Sequence, residues 1–241
     1  MNKWENQAAR NILALLTSDE YANRKIVLEK VCSAFNETGI RYALSCSAAL
    51  FLQGIVDEFN DFDILIALED TKKTEEVMEK VGGTLEVTIQ KNAFTSPYYR
   101  ESLFRGEHFD LVGDMTVATF NTEYCYKVNT DECQYMAIEG NINVPVVPVE
   151  VNLLLYAMME GWQSKRIFKR NLCMEYLMKN GISYPEILRH ALEEQQLPPQ
   201  IQKLINEIIS ETSKWKVIEF VDRESKCVHL LPFNFYLRRY I

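Results

Sequence analysis

The fold is decided by residues 42–66, which read YALSCSAALFLQGIVDEFNDFDILI. The stretch opens with a short apolar run, continues through three small residues and then turns apolar again before the first glycine. Ser47 is of a residue type that caps helices, so the pattern predicts a strand over 41–46 and a short helix over 48–52. A loop follows, and the stretch ends in a second strand.

That second strand, predicted over 61–67, is rich in Ile, Leu and Phe on both faces, which is typical of a central strand covered by helices. The rest of the chain divides in two, with proline residues near 147 marking the change. We predict an α+β protein: a mixed α/β domain with a small mixed sheet over 1–147, followed by a mainly helical domain over 148–241. Further helices are predicted over 19–37, 69–81, 149–160, 164–180, 184–195 and 198–213, and further strands over 84–89, 98–104, 108–112, 115–119, 124–128, 135–139 and 142–147.

Composition excludes several classes of protein. The 241 residues are 47% hydrophobic, which suits a globular chain, and 26 basic against 34 acidic residues give a net charge of −8. An acidic surface repels phosphates, so general nucleic-acid binding is not expected. No stretch approaches the roughly 20 uncharged apolar residues of a membrane span, and the N-terminus lacks the pattern of a secretion signal, which favours the cytoplasm. The six cysteines lack zinc-ligand spacing, so we expect reduced and mostly buried thiols.

Three acidic residues carry the most chemical information. Asp61 and Asp63 lie at i and i+2 on the second strand, so their side chains are expected on one face. Two carboxylates this close repel each other unless a cation lies between them, and Mg²⁺ prefers such oxygen ligands. Asp110, flanked by Phe109 and Leu111, joins them if its strand lies beside theirs. Three converging carboxylates can hold two metal ions for phosphoryl or nucleotidyl transfer.

Candidate phosphate-binding groups lie on both sides of these acids. Upstream, the small residues Ser45, Cys46 and Ser47 lead into the short helix, whose N-terminal amides favour phosphate. Downstream, the helix over 164–180 presents a basic face that could hold phosphates or an anionic acceptor. The alternative interpretation is that this basic face is only solvated, as part of the surface of an acidic protein. The basic face consists of Lys165, Arg166, Lys169 and Arg170.

These residues resemble the nucleotidyltransferase superfamily of the DNA polymerase β type, and in particular its small bacterial branch of minimal, aminoglycoside, lincosamide and AbiEii-like members. The resemblance covers roughly residues 19–115 and rests on the 42–50 stretch, Asp61-Phe62-Asp63 and Asp110. It implies transfer of a nucleoside monophosphate from a Mg²⁺-bound NTP to the hydroxyl of a small-molecule, RNA or protein acceptor. It also implies metal binding by Asp61 and Asp63, and either metal binding or activation of the acceptor hydroxyl by Asp110. The 45–47 turn is expected to contact the nucleotide.

The chain departs from the family pattern at four places. Ser45-Cys46 stands where glycine is expected, and the acidic segment Asp57-Glu58-Phe59-Asn60 stands where relatives often have Arg and Thr. Tyr156 stands where a lysine is expected, and Arg170-Asn171 where Lys-Asp is expected. Two alternatives to an active enzyme therefore stay open at this stage. One is a binding module of the same fold without catalysis. The other is an unrelated α/β protein in which the Asp-x-Asp pattern is incidental.

Overall fold

A computed structural model gives the three-dimensional structure of the chain. It describes residues 2–87, 90, 94–119, 122–138, 142–159 and 164–212, together with the backbone of 218–221 and 228–231. No helix in these ranges is long and apolar enough to cross a lipid bilayer. The cysteines within them are free, and all but the half-buried Cys125 are buried.

A seven-stranded mixed sheet forms the centre of the N-terminal region, in the order β3-β4-β5-β2-β1-β9-β8. The predicted central strand is confirmed: β2 lies between β1 and β5, and four of its five residues are buried. The strands of this sheet are β1 (Tyr42–Ser45), β2 (Phe62–Ile66), β3 (Thr84–Glu86), β4 (Tyr98–Phe104), β5 (Glu107–Gly113), β8 (Gln134–Ala137) and β9 (Asn143–Val146). Two antiparallel pairs stand apart from it, β6 (Met115–Thr119) with β7 (Thr122–Tyr126) and β10 (Ile218–Val221) with β11 (Val228–Leu231).

Four helices accompany the N-terminal sheet: α1 (Lys3–Thr17), α2 (Ala22–Thr38), α3 (Cys46–Leu52) and α4 (Thr71–Val81), the last preceded by a 3₁₀ turn. The sequence analysis missed α1, which begins with a capping box between Asn2 and Glu5. The predicted start of α2 at residue 19 is wrong, because Ser18 ends α1 and Tyr21 precedes the first residue of α2.

The C-terminal region is helical, as predicted. Its helices are α5 (Val149–Met158), α6 (Ser164–Asn180), α7 (Pro185–Glu194) and α8 (Pro199–Thr212). Every residue of α5 is buried, and α5 packs against α6, α3 and the β6–β7 pair. This helix therefore connects the helical region to the sheet, next to the end of β1. The boundary between domains at 147/148 stays a prediction.

The core beneath the Asp-x-Asp segment is aromatic. Phe62, the residue between the two acids, is 1% exposed, and its ring stacks on that of Phe109 at 4.8 Å between centroids. Phe59 meets Phe62 edge-on at 5.2 Å. Because Phe62 and Phe109 are buried on one face of the sheet, the alternating residues Asp63 and Asp110 are directed to the other face.

Candidate active site

The strand register brings two of the predicted acids side by side. β2 runs parallel to β5 with Asp63 opposite Asp110, and antiparallel to β1 with Asp63 opposite Ser45. Neighbouring strands lie about 4.8 Å apart, so both carboxylates arise from adjacent positions. The condition for convergence, that the strand of Asp110 lies beside that of Asp63, is met.

Asp61 lies just outside the sheet. The prediction that it belongs to the strand is wrong, since β2 begins at Phe62. Its carboxylate nevertheless belongs to the same cluster, because its charge raises the pKa of both Asp63 and Asp110. We call the surface formed by Ser45, Asp61, Asp63 and Asp110 the sheet wall.

The sheet wall holds its carboxylates in an unfavourable electrostatic setting. All three acids are half-buried. Burial, followed by the charges of Asp61 and Asp110, raises the pKa of Asp63 well above its usual range. Burial is also the largest cause of the raised pKa of Asp110, about 6. Such clustered, perturbed carboxylates are typical of functional sites.

Tyr99 and Glu101 are part of this environment and were missed by the sequence analysis. The Tyr99 hydroxyl lies 3.1 Å from Oδ1 of Asp110 and 3.1 Å from Oε1 of Glu101, and its single proton can be donated to only one of them at a time. The signal for Glu101 was present. The predicted hairpin around Arg105-Gly106 closes with a two-residue turn, and that register places Glu101 opposite Asp110.

The turn between β1 and α3 differs from its prediction. Ser47 is not the helix cap: α3 begins at Cys46, and Ser45 is the capping residue but makes no side-chain capping bond. Cys46 adopts φ +51°, a left-handed conformation that favours glycine. Its N–H donates to Oδ1 of Asn152 at 2.8 Å. Ser45, Cys46 and Ser47 are all buried.

The opposite side of the site comes from α5 and α6. Lys169 Nζ lies 5.7 Å from the centre of the Tyr156 ring, and its charge lowers the pKa of Asp63. Tyr156, at the position where a lysine was expected, is 4% exposed and lies beside Cys46. Lys169 therefore brings a positive charge to the region that Tyr156 leaves neutral. We call the surface formed by Asn152, Tyr156 and Lys169 the helix wall.

The other basic residues predicted on α6 are placed differently. Lys165 is exposed. Arg166 lies one turn before Lys169 on the same face; its guanidinium carbon is 5.8 Å from the Phe94 ring centre, and its buried Nη1 has no hydrogen-bond partner among the described residues. The Arg170 guanidinium donates to the side chain of Asn171.

The metal prediction is supported by donor chemistry but not by a formed site. Hard carboxylate oxygens on neighbouring strands suit Mg²⁺, and a cation would relieve the repulsion that raises the pKa of Asp63. However, within the described part of the chain no three His, Cys, Asp or Glu side chains form a group that could hold a metal ion. The carboxylates therefore fit the cation chemically. For all three of them to bind one cation, their side chains would have to turn toward it.

A cavity of about 1150 Å³ opens away from these residues, between the β6–β7 pair and α7. Tyr124, Glu132 and His190 are among its lining residues, and none of the predicted site residues is. The candidate active site is therefore not assigned to this cavity. It is assigned to the residues that the strand register and the raised pKa values of the carboxylates indicate.

Comparison with solved structures identifies the fold. ANT(2'')-Ia in complex with adenylyl-2''-tobramycin superposes with a TM-score of 0.50 at 12% identity, covering 78% of this chain and 98% of that one. A Thermotoga maritima protein provisionally assigned as a nucleotidyltransferase gives 0.49 at 17%, covering 65% and 94%. The lincosamide antibiotic adenylyltransferase LnuA with bound lincomycin gives 0.43 at 17%, covering 61% and 93%.

No protein-family model and no curated protein sequence matches the chain. At such low sequence identity the structural match concerns the fold alone. The resemblance drawn from the residues is confirmed at that level: this chain has the fold of the small DNA polymerase β-like nucleotidyltransferases.

Proposed function

We propose that the protein is a metal-dependent nucleotidyltransferase that moves a nucleoside monophosphate from an NTP to an acceptor hydroxyl. The observation that carries the proposal is the register of β2 and β5, which sets Asp63 opposite Asp110 with Asp61 beside them. Three unneutralised carboxylates destabilise a fold unless they serve a ligand. The shared fold with ANT(2'')-Ia agrees with this assignment.

In this proposal Asp61, Asp63 and Asp110 would hold Mg²⁺. The cation, when bound, neutralises the triphosphate and polarises the phosphorus that is attacked. Asp110, with its pKa of about 6, is ionised at neutral pH and accepts the proton of the acceptor hydroxyl. The hydroxyl oxygen forms a bond to the α-phosphorus, the bond from the α-phosphorus to the bridging oxygen breaks, and pyrophosphate leaves.

The nucleotide would lie between the two walls. Lys169 and Arg166 are the α6 cations best placed for the triphosphate, because the first reaches the carboxylate cluster and the second has an unpaired buried donor. Lys165, on the exposed side, would make a smaller contribution. Ser45, Cys46 and Ser47 would form the turn behind the nucleotide, with the Cys46 amide already engaged by Asn152.

We propose a small molecule bearing a hydroxyl group as the acceptor, in preference to RNA or protein. The fold neighbour ANT(2'')-Ia holds an adenylylated small molecule, and the net charge of −8 disfavours RNA.

A binding module without catalysis is the second candidate, and two observations favour it. The amide of Cys46 is occupied by Asn152 instead of being free for phosphate, and the three acids do not form a metal-binding group among the described residues. Such a module would bind nucleotide weakly or not at all.

A labelled-transfer assay tests the proposal. The protein is incubated with each of the four α-³²P-labelled NTPs and Mg²⁺, together with pools of small hydroxyl compounds, with RNA, or with protein. We expect Mg²⁺-dependent label on one acceptor pool, and no label with Asp61→Ala/Asp63→Ala. Transfer that survives the double substitution would contradict the assignment of these acids, and the absence of label from every acceptor pool would favour the second candidate.

A further inference from the structure

Cys46 adopts an unusual conformation for its residue type. Its φ of +51° lies in the left-handed region, where a side chain beyond glycine costs conformational energy. It is nonetheless the first residue of α3 and is 93% buried, since its relative exposure is 7%. The surrounding structure must hold this conformation in place.

Asn152 supplies the contact that holds it. Its side chain is fully buried, and its Oδ1 accepts the Cys46 N–H across 106 residues of sequence. Ser45 makes no side-chain capping bond to α3, and Asn152 supplies a side-chain acceptor for the first N–H of this helix.

Packing alone does not explain an asparagine at this position. Nδ2 of Asn152 is buried without a hydrogen-bond partner in the described chain. An apolar side chain at this position would not bury an unpaired donor. The function that Asn152 does fulfil is the acceptance of one hydrogen bond from the turn.

The turn is in direct contact with Asp63. Ser45 lies opposite Asp63 in the β1–β2 ladder, and its Oγ donates to the Asp63 carbonyl oxygen at 3.3 Å. The Cys46 side chain also lies beside the Asp63 carboxylate and lowers the pKa of that carboxyl. A change in the conformation of Cys46 therefore displaces two groups next to Asp63.

We propose that Asn152 is a positioning residue, which holds the β1–α3 turn in the glycine-like conformation that sets Ser45 and Cys46 against Asp63. Asn152 thus replaces, from a distant helix, the conformational role of a glycine in the turn. The inference deepens the proposed function and rests on it only for its nucleotide readout.

A double-mutant cycle between Asn152→Leu and Cys46→Gly tests this role. Asn152→Leu keeps the number and branching of the side-chain heavy atoms and removes the acceptor. Glycine adopts the left-handed conformation unaided, so Cys46→Gly should restore the turn in the Asn152→Leu background. Thermal midpoints without ligand and Mg²⁺–ATP affinities are measured for all four proteins.

We expect Asn152→Leu to weaken Mg²⁺–ATP binding about tenfold, as for the loss of one strong hydrogen bond, and Cys46→Gly to recover most of that loss. The thermal midpoint should show the same rescue. Leu153→Ala, a buried change in the same helix, is the control and should be additive with Cys46→Gly.

Equal effects of Cys46→Gly in both backgrounds would overturn the positioning role. If the wild-type protein binds no Mg²⁺–nucleotide, the proposed function fails. The thermal midpoints of the four proteins then test the role of Asn152 by themselves: rescue by Cys46→Gly supports it, and additive effects overturn it. If Asn152→Leu does not fold alone, folding of the double variant is the rescue, and its failure to fold contradicts the proposal.

Discussion

The sheet wall carries three neighbouring carboxylates, whereas the helix wall carries a lysine, a phenol ring and an amide. Burial and the charge of Asp61 raise the pKa values of Asp63 and Asp110, and the charge of Lys169 lowers the pKa of Asp63. The difference shows that the sheet and the helices contribute different groups to the site. Backbone register places Asp63 beside Asp110, while the helices add a compensating charge from Lys169 and a hydrogen-bond acceptor for the turn next to Asp63.

The largest expected effect comes from breaking the sheet wall. Asp63→Asn keeps the shape of the side chain but removes the charge that a metal needs, so nucleotidyl transfer should fall by about a hundredfold to a thousandfold. Stability should rise or stay unchanged, because the substitution removes an electrostatic repulsion inside the cluster. Transfer rates and thermal midpoints check both parts.

Asp131→Asn, an exposed change outside the cluster, is the matched control and should leave both quantities unaltered. Full transfer by Asp63→Asn would show that the sheet wall is not the reactive side.

Breaking the helix wall should cost less. Lys169→Ala is expected to weaken Mg²⁺–ATP binding by roughly tenfold or more, the loss of one charge-assisted contact. Lys165→Ala, one turn away on the exposed side of the same helix, should have a smaller effect. Equilibrium titration with Mg²⁺–ATP gives the affinity of each variant. A larger loss of affinity in Lys165→Ala than in Lys169→Ala would contradict the proposed role of Lys169.

The two walls also differ in how far the sequence predicts them. The central strand, the β4–β5 hairpin and the four C-terminal helices follow from apolar periodicity and turn residues, and Asp63 and Asp110 follow from their place on buried strands. On the helix wall, Lys169 was predicted from the basic face of its helix. The role of Asn152 could not be predicted in this way, because Asn152 and Cys46 meet across 106 residues and nothing local marks that contact. The capping box at Asn2 and Glu5 did mark α1, and it was overlooked.

The pH dependence of stability sharpens the comparison for Asp110. Folding raises its pKa from 3.8 to about 6, so between these values the folded protein binds more protons than the unfolded chain. The free energy of unfolding therefore falls as pH rises from about 4 to about 6, by up to about 3 kcal/mol from this residue. Denaturant unfolding at several pH values should show this decrease, and Asp110→Asn should remove it. Parallel pH curves for the two proteins would contradict the raised pKa.

The smallest expected effect concerns Tyr99. Its hydrogen bond stabilises the ionised form of Asp110, so Tyr99→Phe should raise the pKa of that carboxyl further, by less than one pH unit. The pH below which Mg²⁺-dependent nucleotide binding is lost, the acidic limb of its pH profile, should rise by the same amount. Tyr135→Phe, an exposed tyrosine far along the sheet, serves as the control. An unshifted limb would mean that Tyr99 donates its proton to Glu101 instead.

The central claim is that the sheet wall binds a metal–nucleotide complex, and calorimetric titration tests it most directly. Each NTP is titrated with Mg²⁺ into the wild-type protein and into Asp61→Ala/Asp63→Ala. The account predicts saturable heat with at least one NTP in the wild type and none in the double variant. Silence from all four NTPs with the wild type, or equal heat with both proteins, would contradict it.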